Sequence, residues 1–372
     1  MHIVIDAHML GEQEGGNETY IWGLLEGLES TLSPQTKITA LYNSRYNPPG
    51  NQISVLPAVL HSQSNIYRLL WGTSSICSQL RADLLHVTYN APLFSACPFV
   101  VSVHDVIFRL YPEYFTPRVR ILLTTLLPFS MWRATLILTD SEASKKDIIR
   151  YYPFTQNKIV VIPLAPGQVA TTKPDYLQAE KYLQGRKFIL SVGSVQPRKN
   201  ILRLIQAYIL LRQRGTTNAR LIIVGRSGWQ GSQIQKISSS SPYADDIIFT
   251  GYLDNVVLAA LYRKCAVFVY PSLYEGFGLP VLEAMACGAP VITSNLSSLP
   301  EITGDAALLV DPYSVEQIST AISRVLNNNA LREDLIFLGS RQASRYSWKR
   351  TAQETLAVYE KAVQAQRKYS KL

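Results

Sequence analysis

The sequence lacks most of the marks that assign a chain to a special class. Its 4 cysteines, Cys77, Cys97, Cys265 and Cys287, fall in no CxxC or Cys/His spacing, so neither a disulfide framework nor a zinc site is expected. No Asp-x-Asp pair offers two carboxylates to a divalent cation, and no metal is expected. Neither the GxGxxG fingerprint nor GxxxxGK[ST] is present, which speaks against a dehydrogenase and a P-loop enzyme. Helix-turn-helix, zinc-finger and RNA-binding signatures are missing too, so no nucleic acid is expected as partner. The opening MHIVIDAHML alternates like a strand and has no basic flank, apolar run or cleavage site of a signal peptide; a cytoplasmic protein is expected. The most apolar stretch, Ile121 to Leu138, is broken by Pro128 and Arg133, and a spanning helix needs ~20 predominantly apolar residues. It reads as a buried helix followed by a strand entering Asp140.

What the sequence does have is length and alternation. A chain of 372 residues with 47% hydrophobic residues exceeds what one core usually serves, so two domains are expected. Short apolar runs recur at helix-length intervals: Ile3–Ala7, Thr39–Tyr42, Leu84–Val87, Phe99–Val103, Leu136–Thr139 and Ile159–Ile162. After Pro163–Gly167 the series restarts with Phe188–Val192, Arg220–Val224, Ile247–Thr250, Val267–Tyr270, Val291–Thr293 and Ala307–Val310. Such a pattern predicts βαβ units, hence an α/β chain of two doubly wound, Rossmann-like parallel sheets facing each other across a cleft. Ligands of such sheets bind beyond the carboxyl ends of the strands, so the chemistry is sought in the loops that follow them.

The loop after Val267–Tyr270 carries the strongest signal. It runs Pro271-Ser272-Leu273-Tyr274-Glu275-Gly276-Phe277-Gly278 into a helix beginning near Leu279, with Pro280 in the first turn, where a missing N–H costs nothing, and Gly288 as a stop. Gly276 and Gly278 allow close backbone approach, and a helix N-terminus aims peptide N–H groups at an anion such as a diphosphate. Glu275 can accept hydrogen bonds from sugar hydroxyls, and Glu283 can hold a ribose diol. The plain alternative is a strand–turn–helix whose acidic residues merely favour the helix start. A cationic partner is offered by Arg198 and Lys199, in Gly193-Ser194-Val195-Gln196-Pro197-Arg198-Lys199-Asn200 after the strand Phe188–Val192; alone, such a pair is more often a solvated helix start.

In the first half, Gly11–Tyr20, with Gly15 and Gly16, resembles a phosphate or sugar loop only weakly. His104 and Asp105 follow Phe99–Val103 at a strand's carboxyl end, where a histidine is as well placed for structure as for catalysis. The net charge of +9 has three readings: a solvated basic surface, attraction to an anionic membrane face, and nucleic-acid binding. The second draws on Arg109, Arg118, Arg120 and Arg133, which flank apolar and aromatic residues in one region. The third has only dispersed charges behind it.

The spacing Glu275-x7-Glu283, within Pro-Ser-Leu-Tyr-Glu-Gly-Phe-Gly-Leu-Pro-Val-Leu-Glu-Ala-Met-Ala-Cys-Gly, resembles the EX7E signature of family 4 retaining glycosyltransferases. Pro-Arg198-Lys199-Asn, Gly251-Tyr-Leu, Ser297-Ser-Leu-Pro-Glu301 and Asp311-Pro312 match in order, as do His104-Asp105 and Gly15-Gly16 more loosely. The resemblance implies a GT-B fold, with an acceptor-side domain over 1–166 completed by a terminal helix in 348–372, and a donor domain over 167–347. It implies that Arg198 and Lys199 hold the donor diphosphate, that Glu275 and the amides of Phe277, Gly278 and Leu279 engage sugar and phosphate, and that Glu283 binds ribose. His104 would sit beside the transferred sugar. Ser194 stands where many members carry an arginine, which makes Arg198 the candidate to take over that phosphate contact. Ala165, in Pro163–Gly167, stands where an Asn-Gly pair is common.

The implied activity is transfer of a hexose from a nucleotide-diphosphate sugar to a glycan or lipid-linked acceptor, with fixed positive groups in place of a metal and no other cofactor. GDP-mannose is the first expectation for the donor, from a likeness to mannosyltransferases of surface-polysaccharide assembly, and UDP-sugars the next. Peripheral attachment to the inner membrane face is a further expectation. A GT-B nucleotide-sugar epimerase is the alternative.

Overall fold

The computed structural model describes residues 1–12, 15–43, 55–60, 62, 64–228 and 231–369. It divides into two compact units, one formed by Met1–Ala165 with Ser347–Leu372 and the other by Pro166–Tyr346.

The first unit holds seven strands in the order β3-β2-β1-β4-β5-β6-β7: β1 His2–Asp6, β2 Lys37–Tyr42, β3 Val55–Val59, β4 Leu84–Thr88, β5 Phe99–Ser102, β6 Leu136–Thr139 and β7 Ile159–Val161. Every pairing is parallel. The second holds six, in the order β10-β9-β8-β11-β12-β13: β8 Phe188–Val192, β9 Arg220–Val224, β10 Ile247–Gly251, β11 Val267–Tyr270, β12 Val291–Ser294 and β13 Ala307–Val310. These too are all parallel. Helices cover such sheets on both faces, so central strands read as continuous apolar runs. Ile3, Val4 and Ile5 of β1 and Val267, Phe268 and Val269 of β11 are all fully buried.

Strand order reverses between β1 and β4 in one sheet and between β8 and β11 in the other. At such a switch point the connections leave in opposite directions and open a crevice beyond the carboxyl ends. The loops after β8 and β11 are those bearing Arg198-Lys199 and Glu275.

Three expectations are corrected. Val55–Val59 forms an edge strand that the sequence pattern did not reveal; its burial alternates weakly and Pro57 sits within it. The apolar stretch from Ile121 is not a buried helix. It lies in the helix Pro117–Arg133, which buries Leu127, Ser130 and Met131 but leaves Ile121, Leu122, Phe129 and Trp132 largely exposed. Arg198 and Lys199 stand on a separate 3₁₀ turn, Pro197–Lys199, and Asn200 at φ 59° separates it from the helix Ile201–Gln213.

The terminal helix Trp348–Tyr369 belongs to the first unit; Lys371, expected within it, lies outside the described residues. It packs on the helix Gly16–Glu29, where only glycines leave room. A Cβ on Gly23 would stand 1.9 Å from the Trp348 indole, and one on Gly27 2.2 Å from its carbonyl oxygen. Thr351 donates to the Pro163 carbonyl (2.8 Å) and Tyr359 meets His86 Nδ1 (2.5 Å). Among the described residues no helix is long and apolar enough to cross a membrane.

Candidate active site

β11 is held between β8 and β12, and its carboxyl end delivers Tyr270 and the loop to Gly278. Asn200, in the left-handed conformation, donates from its side-chain amide to the carbonyls of Pro271 (2.9 Å) and Pro312 (2.6 Å). The Leu273 amide donates to the Arg198 carbonyl (2.9 Å). The Arg198-Lys199 turn is thus fastened to the Glu275 loop by neutral amide bonds before any charge is counted.

The charges then converge on one carboxylate. Lys199 Nζ donates to Glu275 Oε1 (2.8 Å) and Arg198 Nη1 to Oε2 (2.9 Å). The Tyr270 hydroxyl, itself beside Lys199 Nζ, also donates to Oε1 (2.9 Å). Burial alone would push the Glu275 carboxyl up, but Lys199 first and Arg198 next outweigh it and hold the group at about 2. Glu275 therefore stays ionised at neutral pH and cannot serve as a general acid. One carboxylate faces two cations, which leaves the cluster a net positive charge.

Serines shape the rest of the loop. Ser297 Oγ accepts from the Glu275 amide (3.0 Å), while Ser298 Oγ bonds to the carbonyls of Glu275 (2.9 Å) and Phe277 (2.7 Å). Gly276, Phe277 and Gly278 are buried, and the helix Leu279–Ala286 starts at once. Gly278 has φ 115°, which any side chain would strain, and a Cβ there would also lie 2.7 Å from Leu299 Cδ2. Val281 and Leu282 donate to the Gly278 carbonyl (3.0 and 3.3 Å) and Pro280 has no N–H, so the helix begins directly beyond the carboxyl end of β11 with its positive dipole end there. Glu283, one turn further, accepts from the Tyr262 hydroxyl (3.2 Å). Burial pushes its carboxyl up to about 7, with Tyr262 and the Gly167 amide pulling the other way.

In the first unit His104 follows β5, and its Nδ1 bonds to Asp140 Oδ2 (2.7 Å) at the end of β6. Tyr20 and Tyr89 stand edge-on to its ring, 4.7 Å and 5.6 Å between centroids. Nε2 is buried with no hydrogen-bond partner. Burial lowers the His104 pKa, but the Asp140 carboxylate and then Asp105 outweigh it, so the net shift is upward. Gly15 caps the helix Gly16–Glu29 at φ 66°, and both glycines are exposed. Gln13 and Glu14 of that loop lie outside the described residues.

The structure therefore brings Arg198, Lys199 and Glu275 into direct contact, continues from Glu275 through Gly276–Leu279, and sets Glu283 one helical turn on. It pairs Glu275 with its cations, where sugar hydroxyls were expected as its partners. His104, Gly15 and Gly16 belong to the other unit. Sequence reasoning missed Tyr270, Asn200, Ser297, Ser298, Tyr262 and Asp140. Asn200 and the two serines stood within quoted motifs. Tyr270 and Asp140 end buried strands, which by the crevice rule was signal enough.

Two family models cover most of the chain. Glycosyltransferase Family 4 matches residues 15–165, and Glycosyl transferases group 1 matches residues 173–339. The O-antigen chain mannosyltransferase B of Escherichia coli is 38% identical over 267 residues, 70% of this chain and 69% of that protein. The chain belongs to the family 4, group 1 glycosyltransferases. The O-antigen chain mannosyltransferase RfbU of Salmonella typhimurium is 32% identical over 355 residues, covering 89% of this chain and 96% of the relative. Among solved structures, sucrose-phosphate synthase from Thermosynechococcus elongatus superposes with a TM-score of 0.78 at 20% identity, over 98% of this chain and 99% of that one. The fold is GT-B and the reaction is glycosyl transfer, as the sequence motifs led us to expect.

Proposed function

We propose that this glycosyltransferase moves mannose from GDP-mannose to a glycan or lipid-linked acceptor of surface-polysaccharide assembly, with retention of configuration and without a metal ion. A UDP-sugar is the second choice of donor. The observation that carries the donor reading is the Arg198–Glu275–Lys199 cluster beside the N-terminus of the helix Leu279–Ala286, an excess of fixed positive charge at a switch point. Mannose and the acceptor class follow from what the two relatives are named for.

In this reading Lys199, Arg198 and the amides of Phe277, Gly278 and Leu279 bind the diphosphate and take up charge as it departs. Glu275 keeps Lys199 and Arg198 in place and orients the sugar. Glu283 receives the ribose hydroxyls. His104, held by Asp140 with Nε2 unpartnered, lies beside the transferred sugar once the donor is bound. Gly15 and Gly16 give the backbone close approach to the donor. The acceptor hydroxyl attacks on the face the diphosphate leaves, and the departing oxygen takes its proton, so no enzymic nucleophile is needed.

The test is GDP release from GDP-mannose in excess EDTA, with the nascent sugar's anomer followed by NMR. Sustained release with the α-anomer appearing first is expected. Loss of activity in EDTA, a β-anomer, or epimerisation of the donor without GDP release would each overturn part of the reading.

Glu283 adds a pH prediction. Ribose hydroxyls donate to a carboxylate, so donor binding requires the ionised form. With the free carboxyl at about 7, protons compete as pH falls. Donor Kd should rise roughly tenfold from about pH 8 to about pH 6. Calorimetry at several pH values checks it; in Glu283→Gln the slope should vanish and affinity should stay low.

A further inference from the structure

The helix Pro117–Arg133 carries large apolar side chains on its outer face as well as its inner one. Its exposed residues include Arg118, Ile121, Leu122, Phe129 and Trp132, while Leu127, Ser130 and Met131 face the core. Ile121 is 61% exposed and Trp132 65%. Large apolar side chains gathered on the exposed face of one helix mark an interaction surface. Phe129 and Trp132 stand 6.4 Å apart, and the Arg133 guanidinium lies 5.3 Å from the Phe129 ring centroid.

The patch continues beyond the helix. Arg133 Nη1 donates to the carbonyls of Pro92 (3.1 Å) and Leu93 (2.5 Å), which seats the next residue, Phe94, beside the helix end; Phe94 is 69% exposed. The Leu93 amide donates to the Leu69 carbonyl (2.9 Å), joining the segment that bears Trp71, 64% exposed. Residues 66–72, 91–98 and 117–133 contain no Asp or Glu, while Arg118 and Arg120 are exposed.

We propose that this face of the first unit is a docking surface for an anionic lipid bilayer, with Phe94, Phe129, Trp132 and Trp71 entering the headgroup region and Arg118 and Arg120 meeting lipid phosphates. Aromatic residues beside arginines, with acidic residues missing, form the composition of an interfacial anchor. A second copy of the chain is a poorer occupant. A two-fold contact through this patch would set its arginines against each other with no carboxylate between them. The inference stands whichever sugar nucleotide is the donor, and it fits a lipid-linked acceptor.

Co-sedimentation of the whole protein with phosphatidylcholine vesicles, with and without phosphatidylglycerol, tests it. Binding is expected only with phosphatidylglycerol, and added salt should weaken it. Arg118→Ala and Arg120→Ala should each lower the partition coefficient about fivefold. Phe129→Ser with Trp132→Ser should lower it tenfold or more. These side chains are exposed, so Tm should not fall, and GDP release from GDP-mannose in solution should be unchanged. Failure of that solution assay in the parent protein would count against the donor reading and not against this one. Equal binding to both kinds of vesicle, no binding, or binding untouched by the substitutions would overturn the proposal. So would a concentration-dependent dimer abolished by Phe129→Ser with Trp132→Ser.

Discussion

Lys199→Ala is expected to lower kcat for glycosyl transfer about 10²–10³-fold, the usual loss when one preorganised group facing developing charge is removed. The expectation rests on where the ammonium is held. Bonds from the Asn200 side-chain amide and the Leu273 backbone amide fasten its turn to the Glu275 loop, and Glu275 Oε1 fixes Nζ at 2.8 Å. No rearrangement is needed when charge builds on the leaving diphosphate, so the interaction grows in the transition state. Because Lys199 also binds the diphosphate before it leaves, steady-state kinetics should show KM rising as kcat falls, so that kcat/KM falls further than kcat. The variant keeps the Arg198 and Tyr270 bonds to Glu275, so an unchanged circular dichroism spectrum is expected beside the loss. Full activity in Lys199→Ala would remove the clamp from the mechanism.

Glu275→Gln should act on stability as much as on activity. The carboxylate is almost wholly buried and is the counter-charge of two cations, themselves mostly buried. Removing one partner from such a cluster costs about 3–5 kcal/mol, because the charges left behind remain desolvated. For a unit of this size that is a fall in Tm on the order of 10 °C. The sign of the ligand response is more telling than the fall. Inorganic pyrophosphate supplies the missing negative charge, so it should raise the Tm of Glu275→Gln by more than that of the parent. Differential scanning calorimetry with and without pyrophosphate measures both. An equal or smaller rise in the variant would mean that Arg198 and Lys199 do not face the anion.

The fold was largely legible because both sheets are parallel and buried on both faces, so strands such as Phe188–Val192 and Val267–Tyr270 stand out as apolar runs. Val55–Val59 was not, since an edge strand with exposed Leu56 and Val59 has no core face to impose a period. The helix Pro117–Arg133 was misread as buried for a related reason: composition reports apolarity, and only packing reports what covers it. At the site, spacing picked out Glu275, Glu283, Arg198 and Lys199, because each lies in a loop right after a strand or one turn into a helix. It could not show that Glu275 would be claimed by Lys199 and Arg198. That depends on β8 and β11 being neighbours in space though some 75 residues apart in sequence. Asp140 matters likewise through His104 after the neighbouring strand, whereas Tyr270 bonds to Glu275 in the loop after its own strand and was within reach of the crevice rule.

The central claim is that Lys199 and Arg198 bind the donor's diphosphate without a metal ion. Titration of GDP into the parent protein and into Lys199→Ala, both in EDTA, tests it most directly. A hydrogen bond between charged groups contributes about 1.5–3 kcal/mol. The account therefore predicts tight binding to the parent and a Kd roughly 10- to 150-fold weaker in the variant. Equal affinities, or binding that appears only on adding Mg²⁺, would contradict it.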